Sequence, residues 1–444
     1  MYQCTSCGQE HIQHVGKCTS CNEWNCVIPL EKTKTKGKTR AVNNDMTDLS
    51  SIEIEDNIRY TSRVGEIDRV LGGGFILGSS IVIGGEPGIG KSTLALQLAQ
   101  LASDEFKLLY ISGEESLKQI KIRASRIGVD SKNMVVSSNN NLGVIVEQVK
   151  MTKPKLLIID SIHTMESDEV ESIGGSINQV RFCSQALTML ARELNFTLIL
   201  IAHITKEGVI AGPKVLEHVV DTILYFEKID TGNLRILRTS KNRFGATDEI
   251  GIFNMSNKGL EEIKDPTSLF LSMQKESSPG SVVSSTHEGT RPMLVEIQSL
   301  VSKPIQSFGK RYSTGIDNNR ATLIVAILEK YCDVKLSDKD IFINLTKGIK
   351  VKDTSNDLAV AVSIFSSFKN IPISNQYVFI GELGLNGEVK RIDNINKRLK
   401  EISRLGFKYS IIPSNSFKDL KLENKNLKIK EIGHISEIIE FFSS

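Results

Sequence analysis

No stretch of this 444-residue sequence reaches the roughly 18 uninterrupted apolar residues of a membrane span, which excludes a chain threaded through a bilayer by helices. The amino terminus, Met1-Tyr2-Gln3-Cys4, has neither the basic nor the apolar region of a secretion signal, so a cytoplasmic location without membrane association is expected. An excess of one charge is also missing. Lys and Arg number 55 against 52 Asp and Glu, and the resulting +3 is too little to attract nucleic acid globally, so any such surface must be local. Tandem repeats and extended low-complexity segments are absent. Cysteine is scarce, with seven in all.

Four of those seven lie in the first 21 residues, as Cys4-x2-Cys7-x10-Cys18-x2-Cys21. Paired CxxC units let two short knuckles each offer two thiolates to one tetrahedral Zn²⁺, and so short a segment cannot bury a core without such a staple. A redox CxxC pair would need a βαβ context that this stretch lacks. Four thiolates complete the shell, which leaves no open position for zinc catalysis and assigns His11, His14 and Cys26 to the surface or to minor packing.

A chain of this length exceeds what one hydrophobic core organises. The spacing predicts a zinc module over 1–30 and a linker over 31–56, where EKTKTKGKTR carries basic charge without apolar periodicity. An ATPase domain is predicted over 57–265, a Ser/Pro/Gly-rich linker over 266–290, and a second αβ domain over 291–444. Within 57–265, apolar strand-like runs alternate with helix-like segments. This is the pattern of a mostly parallel α/β sheet covered on both faces, with ligands at the carboxyl ends of its strands.

Between the strand-like Ile81 to Gly84 and a helix-like stretch stands Gly85-Glu86-Pro87-Gly88-Ile89-Gly90-Lys91-Ser92, followed by Thr93. This GxxxxGK[ST] run sits in the strand–loop–helix context that lets backbone N–H groups face phosphate oxygens. Lys91 then neutralises β/γ charge and Ser92 ligates Mg²⁺, so ATP is the expected nucleotide. Leu156 to Asp160 is a buried strand ending in an acid, which makes Asp160 the second magnesium anchor. Leu109 to Glu115 is another strand ending in acids. Glu114 is the candidate to polarise the attacking water, the alternative being solvated charges that start a helix.

With these motifs in place, the sequence resembles the RadA (Sms) family of bacterial recombination ATPases, which carry a RecA-like core. The likeness runs nearly end to end. Its residues are the four cysteines, Leu71-Gly72-Gly73-Gly74, the phosphate loop, Ser112-Gly113-Glu114-Glu115-Ser116, Asp160-Ser161-Ile162, His203 to Gly208, Leu216-Glu217-His218 and the family signature Lys241-Asn242-Arg243-Phe244-Gly245. The resemblance implies a hexameric ring working on single-stranded and branched DNA alongside RecA, with hydrolysis coupled to branch migration. Lys241 and Arg243, in a loop after the strand starting at Leu234, would reach a neighbour's γ-phosphate as an arginine finger does; a basic surface turn is the bland alternative. His203 would sense the γ-phosphate or serve as a structural histidine. Arg181, Lys206 and Lys214 fall where RecA-like proteins place loops that face DNA. A nucleotide-switched DNA-binding module without translocation shares most of these features.

The carboxyl-terminal domain is similar to the Lon protease domain. Ser355, before the helix-like Leu358 to Ala361, matches the nucleophile position. Aligning Gly381 to Gly387 puts Asn396 where Lon carries its lysine base, with Lys397 about 100° around the helix. A neutral amide accepts no proton, so an ATP-regulated peptidase is disfavoured and a scaffold role is expected.

Overall fold

The computed structural model describes residues 2–24, 26–29, 59–103, 106–129, 133–203, 216–228, 233–247, 249–263, 271, 277–289, 291–304, 309–345, 351, 353–414, 416 and 427–442. The chain divides into two compact units, the second formed mainly by residues from Ile263 onward. The basic linker, Lys206 and Lys214 lie outside the described residues.

At the amino end, β1 (Tyr2–Cys4) pairs antiparallel with β2 (Glu10–His11) and β3 (Val27–Pro29). Two knuckles of the same geometry carry the thiols. The Gly8 amide donates to the Cys4 carbonyl and the Asn22 amide to that of Cys18, each turn closed by a residue at positive φ, 76° and 60°.

In the ATPase portion, β4 (Arg59–Tyr60) and β5 (Phe75–Ile76) flank α1 (Gly65–Leu71) and precede the main sheet. That sheet contains β6 (Ser80–Gly85), β7 (Leu108–Ser112), β8 (Met134–Ser137), β9 (Leu156–Asp160), β10 (Thr197–His203) and β11 (Thr222–Lys228). It continues through β12 (Leu234–Asn242), β13 (Ile250–Ser256) and β14 (Gly259–Glu262), in the order β14-β13-β12-β11-β6-β10-β9-β7-β8. The six strands from β11 to β8 are parallel. Every residue of β6, β7 and β9 is buried, which is why these runs read as continuously apolar rather than alternating.

The helices are α2 (Lys91–Gln97), continued by a 3₁₀ turn over Leu98–Leu101, α3 (Leu117–Arg126), α4 (Leu142–Thr152) and α5 (Ile177–Glu193). Their starts are written in the sequence. Ser116 and Gln119 form a capping box on α3, Asn141 caps α4 and Ser176 caps α5. Ile145 and Val149 of α4 and Cys183 and Leu187 of α5 pack on Leu109, Leu157 and Leu198 of the sheet.

In the second unit, β15 (Ser281–Glu288), β16 (Arg291–Ser302), β17 (Arg311–Thr314), β18 (Asp340–Leu345), β19 (Tyr377–Phe379), β22 (Tyr409–Pro413) and β23 (Lys428–Ile432) form a mixed sheet in the order β17-β18-β16-β15-β19-β22-β23. A ribbon of β20 (Glu382–Leu383) and β21 (Val389–Lys390) stands apart from it. The helices are α6 (Asn318–Tyr331), α7 (Asp357–Lys369) and α8 (Ile395–Arg404), and α7 is buried from Asp357 to Ser366. This is the expected α+β domain. Its first strand, β15, lies inside the stretch read as linker; Val-Val-Ser-Ser-Thr alternates too weakly to announce a strand, and it is held by β16 and β19 on its two sides.

Candidate active site

The phosphate loop joins β6 to α2. Gly90 takes φ 119°, a backbone conformation that favours glycine, and packs closely against the end of Met255. Gly85 is equally constrained, because a Cβ would meet the Phe226 carbonyl oxygen at 2.6 Å.

Lys91 is buried, and its ammonium donates to the Gly85 and Glu86 carbonyls at 2.7 and 2.9 Å. Nζ also lies 3.3 Å from His203 Nδ1, while His203 Nε2 is 3.2 Å from Glu114 Oε1. An ammonium only donates, so this pattern fixes the His203 tautomer with Nδ1 accepting and Nε2–H directed at the carboxylate. Glu114 also accepts the Ser161 hydroxyl at 2.6 Å. Burial works against its charge, but the Ser161 hydroxyl and the His203 ring outweigh it and hold the carboxyl below its usual range, which keeps it ionised. Burial lowers the Lys91 ammonium to about 8, against the pull of Asp160 and Glu114. Asp160 ends β9 beside these groups and accepts the Tyr110 hydroxyl at 2.5 Å.

The structure thus brings Lys91, Glu114, Asp160 and His203 to the carboxyl ends of adjacent parallel strands, the place where an α/β sheet binds nucleotide. Tyr110 and Ser161 complete the set. Sequence reading missed both, since a tyrosine inside a strand and a serine after an acid carry no signal of their own.

Lys241 to Gly245 lie elsewhere. Lys241 and Asn242 are the last residues of β12 rather than loop residues. β12 runs back across the sheet: Arg235, near its start, donates to the Ile89 carbonyl of the phosphate loop at 3.1 Å, whereas the Arg243 amide, past its end, donates to the Asp221 carbonyl. Asp221 in turn accepts from the Ser80 amide and hydroxyl at 3.0 and 2.8 Å, at the amino end of β6. The KNRFG run and the phosphate loop therefore occupy opposite ends of β6, about 17 Å apart at ~3.3 Å per residue. At its own end, Lys241 Nζ donates to the Glu217 and Val220 carbonyls at 2.5 and 2.7 Å. Arg243 and Arg192 both pair with the buried Asp221, at 3.3 and 2.9 Å. Asn242 Nδ2 reaches the Leu71 carbonyl at 3.3 Å, which packs this motif against Leu71-Gly72-Gly73-Gly74.

Arg181 is exposed on α5. It lies within the helix rather than in a loop, because Ser176 caps α5 from Ile177. The preceding turn is fastened by the buried Gln179, whose Nε2 donates to the Ser167, Val170 and Ser172 carbonyls at 2.9–3.1 Å.

The amino-terminal thiols fit a metal. Sγ atoms of Cys4, Cys7, Cys18 and Cys21 all lie within 4.8 Å of one another, with Cys4 to Cys21 at 3.6 Å and Cys7 to Cys18 at 3.5 Å. A tetrahedral zinc with Zn–S near 2.3 Å requires about 3.8 Å between sulfurs. The Cys21 and Ser20 amides, outweighing burial, hold the Cys18 thiol down to about 5, a thiolate suited to ligation. Of the three residues assigned to the surface or to minor packing, two pack against this cluster. Cys26 is buried with its Sγ 3.3 Å from that of Cys4, and His11 Nε2 lies 3.5 Å from Cys18 Sγ, because the β1–β3 pairing and the β2 strand carry them inward.

In the second unit, Ser355 is buried and its hydroxyl donates to the Ser285 carbonyl at 3.1 Å. The α8 side chain that meets it is neither Asn396 nor Lys397 but Arg398, whose Nη1 donates to Ser355 Oγ at 2.9 Å and whose Nη2 pairs with Asp353 at 2.5 Å. A guanidinium cannot take up a proton, so among the described residues no base meets the serine hydroxyl, for a reason other than the one the alignment gave. Two residues along a helix are about 200° apart, and the face presented depends on where α8 begins, at Asn394 in left-handed conformation.

Comparison with known proteins finds three family matches along the chain. Residues 2–29 match a family described as rubredoxin metal binding domain, 58–209 an AAA domain, and 301–416 the subunit ChlI of Mg-chelatase. The DNA repair protein RadA of Listeria monocytogenes is 43% identical over 99% of this chain and 97% of its own length. Those of Bacillus subtilis and Pseudomonas aeruginosa are 41% and 40% identical, over 98% and 93% of this chain and 97% and 92% of their own. A crystal structure of the RadB recombinase overlaps 46% of the chain at 23% identity and a TM-score of 0.38, too distant a likeness to bear on the fold. The site is that of an ATP-hydrolysing enzyme, and the chain belongs to the RadA family of DNA repair proteins.

Proposed function

We propose that this chain is the subunit of a ring-shaped DNA motor, hexameric by family resemblance, that hydrolyses ATP between subunits to migrate branches at recombination intermediates formed with RecA. The observation that carries this reading is the placement of Lys241 and Arg243 at the end of the sheet opposite their own phosphate loop. From there they serve a phosphate only if it belongs to a neighbouring subunit.

Within each subunit the assigned work is divided. Gly85 to Thr93 bind the nucleotide phosphates, Ser92 and Asp160 hold Mg²⁺, Glu114 aligns the attacking water, and Lys241 and Arg243 stabilise transition-state charge next door. Cys4, Cys7, Cys18 and Cys21 hold a structural Zn²⁺, whose four thiolate ligands leave no position for catalysis. Arg181, Lys206 and Lys214 contact backbone phosphates of single-stranded or branched DNA, so binding is steeply salt dependent and indifferent to sequence. The parts are a zinc module over 1–30, a linker over 31–56, a motor over 57–265 and a scaffold domain over 291–444 to which β15 contributes, all acting in the cytoplasm. The Arg398–Ser355 contact speaks against the peptidase reading.

Titration of the ATPase rate with single-stranded DNA tests the proposal. A rate that rises with DNA and loses that rise at high salt is expected. No stimulation at any salt, with folding and zinc content intact, would sink the motor reading.

A further inference from the structure

His163 stands between the nucleotide cluster and the turn that leads into α5. It belongs to a short 3₁₀ turn, Ile162–Thr164, directly after the strand that ends in Asp160. Its ring centroid lies 6.0 Å from that of His203, at 48°. Both of its ring nitrogens are buried with no hydrogen-bond partner among the described residues. On its other side, its carbonyl oxygen braces the next turn: a Cβ on Gly175, which has φ 81°, would lie 3.1 Å from that oxygen. Gly175 immediately precedes Ser176, the cap of the helix that carries Arg181.

A buried imidazole with both nitrogens unspent is costly to keep, and such groups have a partner in some state of the molecule. The structure identifies which partner becomes available. His203 Nδ1 now accepts from Lys91, and Lys91 must give up that bond, with those to Gly85 and Glu86, to engage nucleotide phosphates. Nδ1 is then an acceptor without a donor, still oriented by the Glu114 contact at Nε2. An imidazole N–H···N bond of about 2.9 Å places ring centroids about 5.2 Å apart, so the His163 ring needs to approach by about 1 Å. Burial and the neighbouring His203 keep His163 from ionising, so it has one N–H to give.

We propose that His163 is a positioning residue that replaces Lys91 as the donor to His203 when nucleotide binds, and that its displacement shifts the Gly175 turn and α5, passing nucleotide state to the DNA-facing surface. The device has two discrete arrangements, Lys91–His203 and His163–His203, which is what coupling between separate sites requires. It rests on the DNA-motor reading above and adds the route by which the two sites communicate. Phe at position 163 would keep the ring and remove the donor; Gln would keep a donor of shorter reach.

The test compares His163→Phe and His163→Gln with the wild-type full-length protein, measuring affinity for a fluorescent ATP analogue and the ratio of DNA-stimulated to basal ATPase. His163→Phe is expected to lower that ratio about fivefold or more, the lower end of ordinary site-to-site coupling, while nucleotide affinity falls by no more than about tenfold, the worth of one hydrogen bond made only in the bound state, and Gln restores most of the ratio. Retained stimulation in His163→Phe overturns the inference and leaves the motor reading standing. Basal and stimulated rates falling in parallel overturn it as well, since they mark a merely structural role. Wild-type protein that DNA does not stimulate overturns both. Independently of how the variants fold, ¹⁵N-histidine-labelled wild-type protein is expected to gain one hydrogen-bonded imidazole N–H signal on adding a slowly hydrolysed ATP analogue; an unchanged imidazole spectrum overturns the exchange of partners.

Discussion

Lys241→Ala separates catalysis within a subunit from catalysis between subunits, because the structure sets its effect on its own nucleotide site near zero. Across about 17 Å of β6, a unit charge acts on another with about 0.2 kcal/mol in water, and screening at physiological salt reduces this to a few hundredths. That alters nucleotide affinity by less than about a tenth. Locally, the substitution strips a donor from the Glu217 and Val220 carbonyls, which water partly replaces at a cost of about 1 kcal/mol, so the fold survives. If Lys241 acts on the neighbour's phosphate, kcat falls by about 10³ or more, as for loss of other phosphate-directed cations. Mixing settles the direction. Lys241→Ala subunits keep a sound nucleotide site, Lys91→Ala subunits keep a sound KNRFG run, and about a quarter of the interfaces in an equimolar random ring pair the two. Activity is therefore expected to reappear on mixing two inactive proteins. Lys241→Ala with kcat within about twofold of wild type, or a mixture as inactive as its components, would refute the assignment.

Four further outcomes are expected. Lys91 is held near 8 and must be charged to meet phosphate, so affinity for an ATP analogue should fall about tenfold or more between pH 7 and pH 9.5; a flat profile contradicts the burial argument. His287, with both ring nitrogens buried and without a hydrogen-bond partner among the described residues, is lowered to about 4 by burial and by Arg398. The unfolded chain then binds the extra proton as pH falls from about 6.5 to 4, and the second unit should lose about 1–2 kcal/mol after allowance for partial screening; urea unfolding of His287→Gln should show a flatter pH dependence. A fluorophosphonate probe should leave Ser355 unlabelled, and labelling would restore the peptidase reading. Zinc analysis should find about one metal per chain, lost in Cys18→Ser and kept in Cys26→Ser; loss in both would make Cys26 a ligand.

The parallel sheet was legible because its strands are buried on both faces and punctuated by capping residues: Leu108–Ser112 and Leu156–Asp160 fall where the apolar runs place them. Lys91, Glu114 and Asp160 were legible for a related reason, since each stands at a strand or loop end where a polar residue interrupts an apolar run. What stayed hidden depends on tertiary geometry. Nothing local marks Asp221 as the carboxylate that gathers Ser80, Arg192 and Arg243, partners up to 141 residues away. The extension of β12 to Asn242 was hidden by its polar end, Ser240-Lys241-Asn242, which pairs like any strand while reading as loop. Arg398 was hidden by helix phase. Its charge also argues for an exposed position, and the Asp353 carboxylate, with the Ser285 and Asp393 carbonyls and the Ser355 hydroxyl, makes burial tolerable.

The most direct test of the motor account is ATP-driven branch migration on a three-strand DNA intermediate assembled with RecA, followed by gel separation of products. The account predicts migration that requires hydrolysis, stops with a slowly hydrolysed analogue and disappears in Lys241→Ala while nucleotide binding persists. Migration that proceeds equally without hydrolysis, or at wild-type rate in Lys241→Ala, would contradict it.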